Sequence, residues 1–224
     1  MLVSVDEALR YLGAGQNAPD SLRRQVSDAA QALAAAIRPR YVYKVFDLEF
    51  SADCISLRGA ALTLTGGTAG KMLAECGRAV LLACTLGSGF DARLAAAQAR
   101  DMARAVIVDA CGSALVENGC DAAEREIAAR FPGLYLTDRF SPGYGDLPLS
   151  LQPAVCAALD TPRRLGLYVT ESLLLNPVKS VTAVIGLSDR PQMARIRGCA
   201  YCQMRQTCAL RKGGKHCENR SSRE

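Results

Sequence analysis

The chain has 224 residues, half of them hydrophobic and 22% charged. That composition suits one good-sized folded domain with a short appendage and excludes an intrinsically disordered chain. No stretch approaches the roughly 18 consecutive apolar residues of a membrane-spanning helix. The net charge of +5 is unevenly placed: residues 190–224 hold nine Lys/Arg and two Asp/Glu, so the tail carries +7 and the remaining body −2.

Ser4 followed by Glu7 fits a capping box. It predicts a short helix with Ala8, Leu9 and Leu12 on its apolar side, stopped by Gly13 and Gly15. From Ser21 onward, Leu22, Val26, Ala29, Leu33 and Ile37 recur at helical spacing until Pro39 ends the run. Residues 41–50 and 61–65 read as strands, the second closed by Gly66 and Gly67, and the apolar run 79–86 reads as a buried strand. Ser88 opens an alanine-rich pattern expected to run as one helix to about Gly119, with Asp121 capping another helix up to about Phe131. A short strand over 135–139 leads into a Pro/Gly loop, and a helix is expected over 149–159. Two further apolar runs, LGLYVTESLLL and SVTAVIGLS, follow. Helices and strands mix without regular alternation, which favours α+β over a doubly wound sheet. Neither a G-x-G-x-x-G after a strand nor a G-x-x-x-x-G-K-[ST] is present, so nucleotide-binding folds of those kinds are not expected.

Asp6 and Glu7 near the start, with no basic-then-apolar pattern, do not read as a secretion signal. The ten cysteines are therefore expected in a reducing cytoplasm, where they are buried, reactive or metal-bound rather than bridged. Cys54, Cys76, Cys84, Cys111, Cys120 and Cys156 sit singly in apolar or small-residue surroundings and read as buried small hydrophobes. Cys199, Cys202, Cys208 and Cys217 differ: their spacing, C-x2-C-x5-C-x8-C, brings four thiolates within reach of one metal, with Arg197, Arg205, Arg211, Lys212 and Lys215 to offset their charge. The spacing leaves an iron–sulfur cluster and zinc both open. His216, the only histidine, reads as a bystander or a substitute ligand. With no histidine in the body, a Cys-His or Ser-His-Asp centre there is excluded.

Two segments of the body carry candidate chemistry. In Arg139-Phe-Ser-Pro-Gly-Tyr-Gly145, Pro142 fixes the backbone, Gly143 and Gly145 permit close approach, Arg139 offers a planar fork for a carboxylate, and Tyr144 offers an aromatic edge. This reads equally as a rigid loop for a small anionic or amino-acid-like group and as an ordinary turn. On the first reading Arg139 lies outside the core, and its loss leaves the fold intact. Thr170-Glu171-Ser172, ahead of Pro177, Ser180 and Val181, reads by itself as a helix start.

Together the two segments resemble the activation domain of vitamin B12-dependent methionine synthase. Arg139, Pro142, Gly143 and Tyr144 match its R-x-x-P-G-Y loop. Thr170, Glu171, Ser172, Pro177, Ser180 and Val181 match its T-E-S-x-x-x-x-P-x-x-S-V segment, with Ser188 a little beyond. The resemblance covers about 41–190. It implies an α+β, C-shaped domain with a central, mainly antiparallel sheet flanked by helices. It also implies an S-adenosylmethionine groove in which Arg139 meets the ligand carboxylate, Ser141 and Gly143 offer backbone contacts, Tyr144 forms an edge and Glu171 lies nearby. Asp146-Leu-Pro-Leu149 departs from the family's usual continuation. No D-x-H-x-x-G cobalamin motif is present, so the resemblance implies a free-standing relative acting on the cobalamin of a separate methionine synthase or corrinoid methyltransferase. It would be an accessory to that enzyme rather than a self-contained one. The expected organisation is a helical segment 1–40, the activation-like domain 41–190 and a basic, metal-binding tail 191–224. The competing reading is a metal-stabilised interaction module with no S-adenosylmethionine role; nucleic-acid binding through the basic tail is less favoured, because Tyr201 is its only aromatic.

Overall fold

The computed structural model describes residues 3–14, 18–192 and Gln206. Cys199, Cys202, Cys208, Cys217 and His216 lie outside the described residues. The elements are α1 (Val5–Tyr11), α2 (Asp20–Ala36), β1 (Arg40–Phe50), β2 (Cys54–Leu57), β3 (Thr63–Thr65), α3 (Gly67–Leu73), β4 (Arg78–Thr85), α4 (Ser88–Gln98), α5 (Met102–Arg130), β5 (Tyr135–Leu136), α6 (Gln152–Leu159), α7 (Thr161–Leu165), β6 (Tyr168–Val169), β7 (Leu175–Asn176) and β8 (Ser180–Ser188). A six-stranded antiparallel sheet runs in the order β3-β2-β1-β4-β8-β5. The fold is α+β, as the order of elements predicts, with a central antiparallel sheet and helices on both faces, as the resemblance implies.

The apolar runs become β4 and β8 because these strands lie inside the sheet and are covered on both faces. Alternation then divides their side chains. Val80, Leu82, Cys84, Ala183, Ile185 and Leu187 pack with α1, α2, α4 and α5. Ala79, Leu81, Ala83 and Val184 pack on the other side with α3, α6 and α7. The N-terminal helices belong to the first of these cores: Ala8, Leu9, Val26 and Leu33 are buried in it. Ser4 caps α1, its Oγ accepting from the Glu7 amide at 3.2 Å, while the Glu7 carboxylate accepts from Arg10 at 3.1 Å.

The long alanine-rich pattern breaks elsewhere than expected. Helix α4 stops at Gln98, and Asp101, not Asp121, caps the next helix by accepting from the Arg104 amide at 3.2 Å. Gly119, where the pattern is expected to end, lies with Gly112 inside the 29-residue α5. Both are packing positions. A Cβ on Gly112 would stand 2.3 Å from the Phe90 ring, and one on Gly119 would stand 2.6 Å from Pro39 Cβ and 2.7 Å from Cys84 Sγ. The helix needs glycine there to lie close to α4 and the sheet.

The six body cysteines are free thiols, five of them buried and Cys54 half-buried. Burial pushes the thiols of Cys76 and Cys111 up to about 11, so both stay protonated near neutral pH. This is the behaviour expected of small hydrophobes in a core. Among the described residues, no helix is long and apolar enough to cross a membrane, and no group of three or more His, Cys, Asp and Glu could hold a metal ion.

A candidate ligand loop at the sheet edge

Beyond β5, the chain continues along the outer edge of β8. Phe140 and Val184 exchange two backbone hydrogen bonds, of 3.0 and 2.7 Å. Neighbouring residues of an extended segment point to opposite faces. Phe140 enters the core on the α6 side, and Arg139 reaches α5 on the other. The loop therefore begins astride the sheet edge.

Arg139 is not the surface residue that the sequence suggests. Its side chain is only 7% exposed and is enclosed by three carboxylates of α5. One terminal nitrogen donates to Asp121 at 2.7 Å and also to Glu124; the other donates to Glu117. Burial alone would disfavour the guanidinium charge, but Glu124 and Glu117 outweigh it and push the pKa above its usual value. Glu117, Asp121 and Glu124 fall at i, i+4 and i+7, one stripe of a helix. Three acids on one stripe of an alanine-rich helix were the signal available in the sequence for a basic partner.

The arch itself is held by its backbone. The Gly143 amide donates to Leu147 O at 2.8 Å, the Tyr144 amide to Ser141 O at 3.0 Å and the Leu147 amide to Tyr144 O at 3.0 Å. Pro142 and Leu147 are buried, whereas residues 143–146 are exposed. Tyr144 and Leu149 are among the exposed large apolar side chains, and Leu149 lies against Gly143. A rigid backbone with an aromatic and an aliphatic side chain at the surface is thus presented to solvent.

Asp146 gives the departure from the family's sequence a structural role. Its carboxylate accepts from the Gly67 and Thr68 amides at 2.6 and 2.9 Å. It so caps α3, whose own N-terminal residue, Gly66, has no side chain to do so. The hydrogen bonds from Thr68 and Gly67 hold the Asp146 carboxyl below its usual pKa. The approach is too close for side chains: a Cβ on Gly145 would be 2.5 Å from Thr68 Oγ1, and one on Gly66 would be 2.9 Å from Asp146.

Thr170-Glu171-Ser172 is not a helix start. It forms the tip of the hairpin between β6 and β7. Thr170 Oγ1 lies 2.9 Å from Ser172 Oγ and accepts from the Leu174 amide at 3.1 Å, while the Leu173 amide donates to Thr170 O at 2.9 Å. A two-strand hairpin and a helix start share the same apolar run in sequence; the threonine's local hydrogen bonds settle it as a turn. Glu171 is exposed at that tip and is not among the partners of Arg139. Farther on, Ser180 Oγ donates to Pro177 O at 2.7 Å and accepts from the Thr85 hydroxyl at 2.7 Å, tying the segment to the end of β4. The structure thus places Arg139, Ser141, Gly143 and Tyr144 on one loop, and Glu171 on a separate hairpin.

No family model matches the chain, and no curated protein matches it. Solved structures do. A crystal structure of the MetH reactivation domain bound to AdoHcy superposes with a TM-score of 0.66 at 18% sequence identity, over 92% of this chain and 76% of that one. The likeness reaches well beyond 41–190, the segment that the motifs indicate. At this identity it is a likeness of fold: the chain has the fold of the MetH reactivation domain.

Proposed function

We propose that this chain binds S-adenosylmethionine at the 139–149 loop. It takes part there in the reductive reactivation, by remethylation, of the cobalamin of a separate methionine synthase or corrinoid methyltransferase. The observation that carries this reading is a coincidence: a fold shared with a domain that holds AdoHcy, and an R-x-x-P-G-Y loop whose Gly143-Tyr144 arch is exposed and backbone-braced. Ser141 and Gly143 would offer backbone contacts and Tyr144 an aromatic edge. The ligand's carboxylate would meet Arg139 by taking the place of one of its acidic partners. Asp121, with the most exposed of those three side chains, is the one best placed to yield. The remaining carboxylates would then face the ligand's ammonium and sulfonium charges, which they complement. Glu171 would join the site by closure of its hairpin.

Calorimetric titration with S-adenosylmethionine tests the loop. We expect saturable binding, about tenfold weaker in Tyr144→Ala. Binding with unchanged affinity in that variant would remove the loop from the site. The partner is tested by adding the chain to a cobalamin-dependent methionine synthase that lacks its own reactivation domain, with its cobalamin oxidised and a chemical reductant and S-adenosylmethionine supplied. Recovery of methyl transfer only when the chain is present is the expected result.

We further propose that Cys199, Cys202, Cys208 and Cys217 ligate one metal centre, an iron–sulfur cluster or alternatively zinc, in a protein of the reducing cytoplasm. Four thiolates within nineteen residues of an otherwise basic tail support this. Metal analysis of protein purified without oxygen should give stoichiometric iron and sulfide, or zinc. Cys202→Ser should lose the metal while S-adenosylmethionine affinity is kept. A metal-free wild-type protein would end the proposal.

A further inference from the structure

A cleft of about 450 Å³ lies between α2 and α4 on the face of the molecule formed by the N-terminal half of α5. Ala29, Ala32 and Leu33 of α2, Ala96 and Ala97 of α4, and Val108 of α5 make it small-sided and apolar. Arg93, Arg100 and Arg104 stand around it, exposed. None of the three guanidinium groups is ion-paired within the described residues. The acid in the lining, Asp101, is engaged with the first turn of α5. This is unlike Arg139, whose charge is matched three times over. Three arginines against a single aspartate leave the rim of this apolar cleft with an excess of positive charge.

Helix α4 is incomplete in a second sense. It buries one residue, Phe90, of its eleven, and Ala92, Ala95 and Ala96 remain exposed. A helix that packs on one neighbour and leaves its alanines outward lacks the second partner that amphipathic helices in a layered fold normally have. Alanine walls let another helix come close, within the 8–10 Å of ordinary helix packing.

We propose that this cleft receives an acidic, amphipathic helix from a partner protein. The apolar face of that helix would lie on the alanines, and its flanking glutamates or aspartates would meet Arg93, Arg100 and Arg104. Helix α4 is about 16 Å long, so a segment of three to four turns fills the groove. Arg93 and Arg100 are seven residues apart, which matches acids two turns apart on such a segment. The chain's own tail is not the occupant, because its excess charge is positive like that of the rim. The cleft uses no residue of the 139–149 loop, so this inference stands apart from the proposed ligand.

The test is fluorescence anisotropy with the full chain and a labelled 15-residue helical peptide. The peptide carries leucine and alanine on one face and glutamates along both flanks; a lysine-for-glutamate version and a 15-nucleotide single-stranded DNA serve as comparisons. We expect micromolar binding of the glutamate peptide, none of the lysine peptide, and at least a tenfold loss between 50 and 500 mM salt. The variant Arg93→Gln/Arg100→Gln/Arg104→Gln should lose the peptide at least thirtyfold while keeping its melting temperature and its S-adenosylmethionine titration. Equal binding by that variant, or no binding of the glutamate peptide to the parent chain, overturns the proposal. Tighter, arginine-dependent binding of the DNA would assign the cleft to nucleic acid instead. Self-association in sedimentation that the triple variant abolishes would assign it to a second copy; either result also overturns the proposal.

Discussion

Arg139→Met should destabilise the fold by about 3 kcal/mol. The side chain is 7% exposed and is the common partner of Glu117, Asp121 and Glu124, so its removal takes the shared cation from three carboxylates, the most buried of them Glu124 at 9%. Breaking a buried charge pair by deleting one member typically costs 3–5 kcal/mol; the lower figure applies here, because Glu117 and Asp121 keep about a third of their exposure and part of their hydration. With a urea slope of about 2 kcal/mol per molar, the midpoint should fall by roughly 1.5 M. Arg139→Lys should lie between, since a point charge cannot serve three carboxylates in the way that a planar fork does. Adding Glu117→Gln, Asp121→Asn and Glu124→Gln to Arg139→Met should return most of the loss, because no charge is then left unmatched. A midpoint within 0.3 M of the parent for Arg139→Met would show that the cluster is not a structural element.

This changes how the ligand loop is to be tested. A loss of S-adenosylmethionine binding in an Arg139 variant combines any lost contact with a loosened α5 and loop. Tyr144→Ala is the cleaner probe, because Tyr144 is exposed and the arch is braced by backbone hydrogen bonds. The same cluster bears on the proposed chemistry. Its charge is −2 in sum, which suits a ligand carrying both a sulfonium and an ammonium, with Arg139 reserved for the carboxylate.

What the sequence revealed follows from how local each signal is. The strands β4 and β8 and helix α2 were legible because their apolar patterns report their own burial. The R-x-x-P-G-Y loop was legible as a loop because proline and glycine determine backbone shape on the spot. Helix α3 was not: its sequence, GTAGKML, holds two glycines, and its capping group is Asp146, 79 residues away. The burial of Arg139 was not legible either, since it depends on a stripe of acids 15 to 22 residues earlier, on another element. The break between α4 and α5 was misplaced for a related reason. Gly119 looks like a helix stop when the chain is read alone, and becomes a contact position only once Pro39 and Cys84 are brought against it.

Gly119 supplies the second large effect. Alanine in place of glycine inside a helix is worth about 1 kcal/mol in its favour. At Gly119 the added Cβ would lie 2.6 Å from Pro39 and 2.7 Å from Cys84 Sγ. Neither neighbour is a flexible side-chain end: Pro39 is a ring leading directly into β1, and Cys84 is a short side chain in the middle of the sheet, paired with Tyr41 and Val181. The helix must lift instead, and overpacking of this kind costs up to about 3 kcal/mol. The clash wins, and Gly119→Ala should lose about 2 kcal/mol. Gly70, inside α3, has nothing within 4 Å of its added Cβ, so Gly70→Ala should gain about 0.5–1 kcal/mol by propensity alone. Urea midpoints moving in opposite directions for the same substitution would show that close packing, not helix propensity, sets the residue at 119. Because Glu117 and Asp121 flank Gly119, lifting α5 there also shifts two of the three partners of Arg139. Gly119→Ala should therefore weaken S-adenosylmethionine binding as well, though the site of substitution faces the sheet rather than the loop. Equal gains for both alanines would mean that α5 can stand off β1 and β4 without loss, and the link from helix packing to the loop would fail with it.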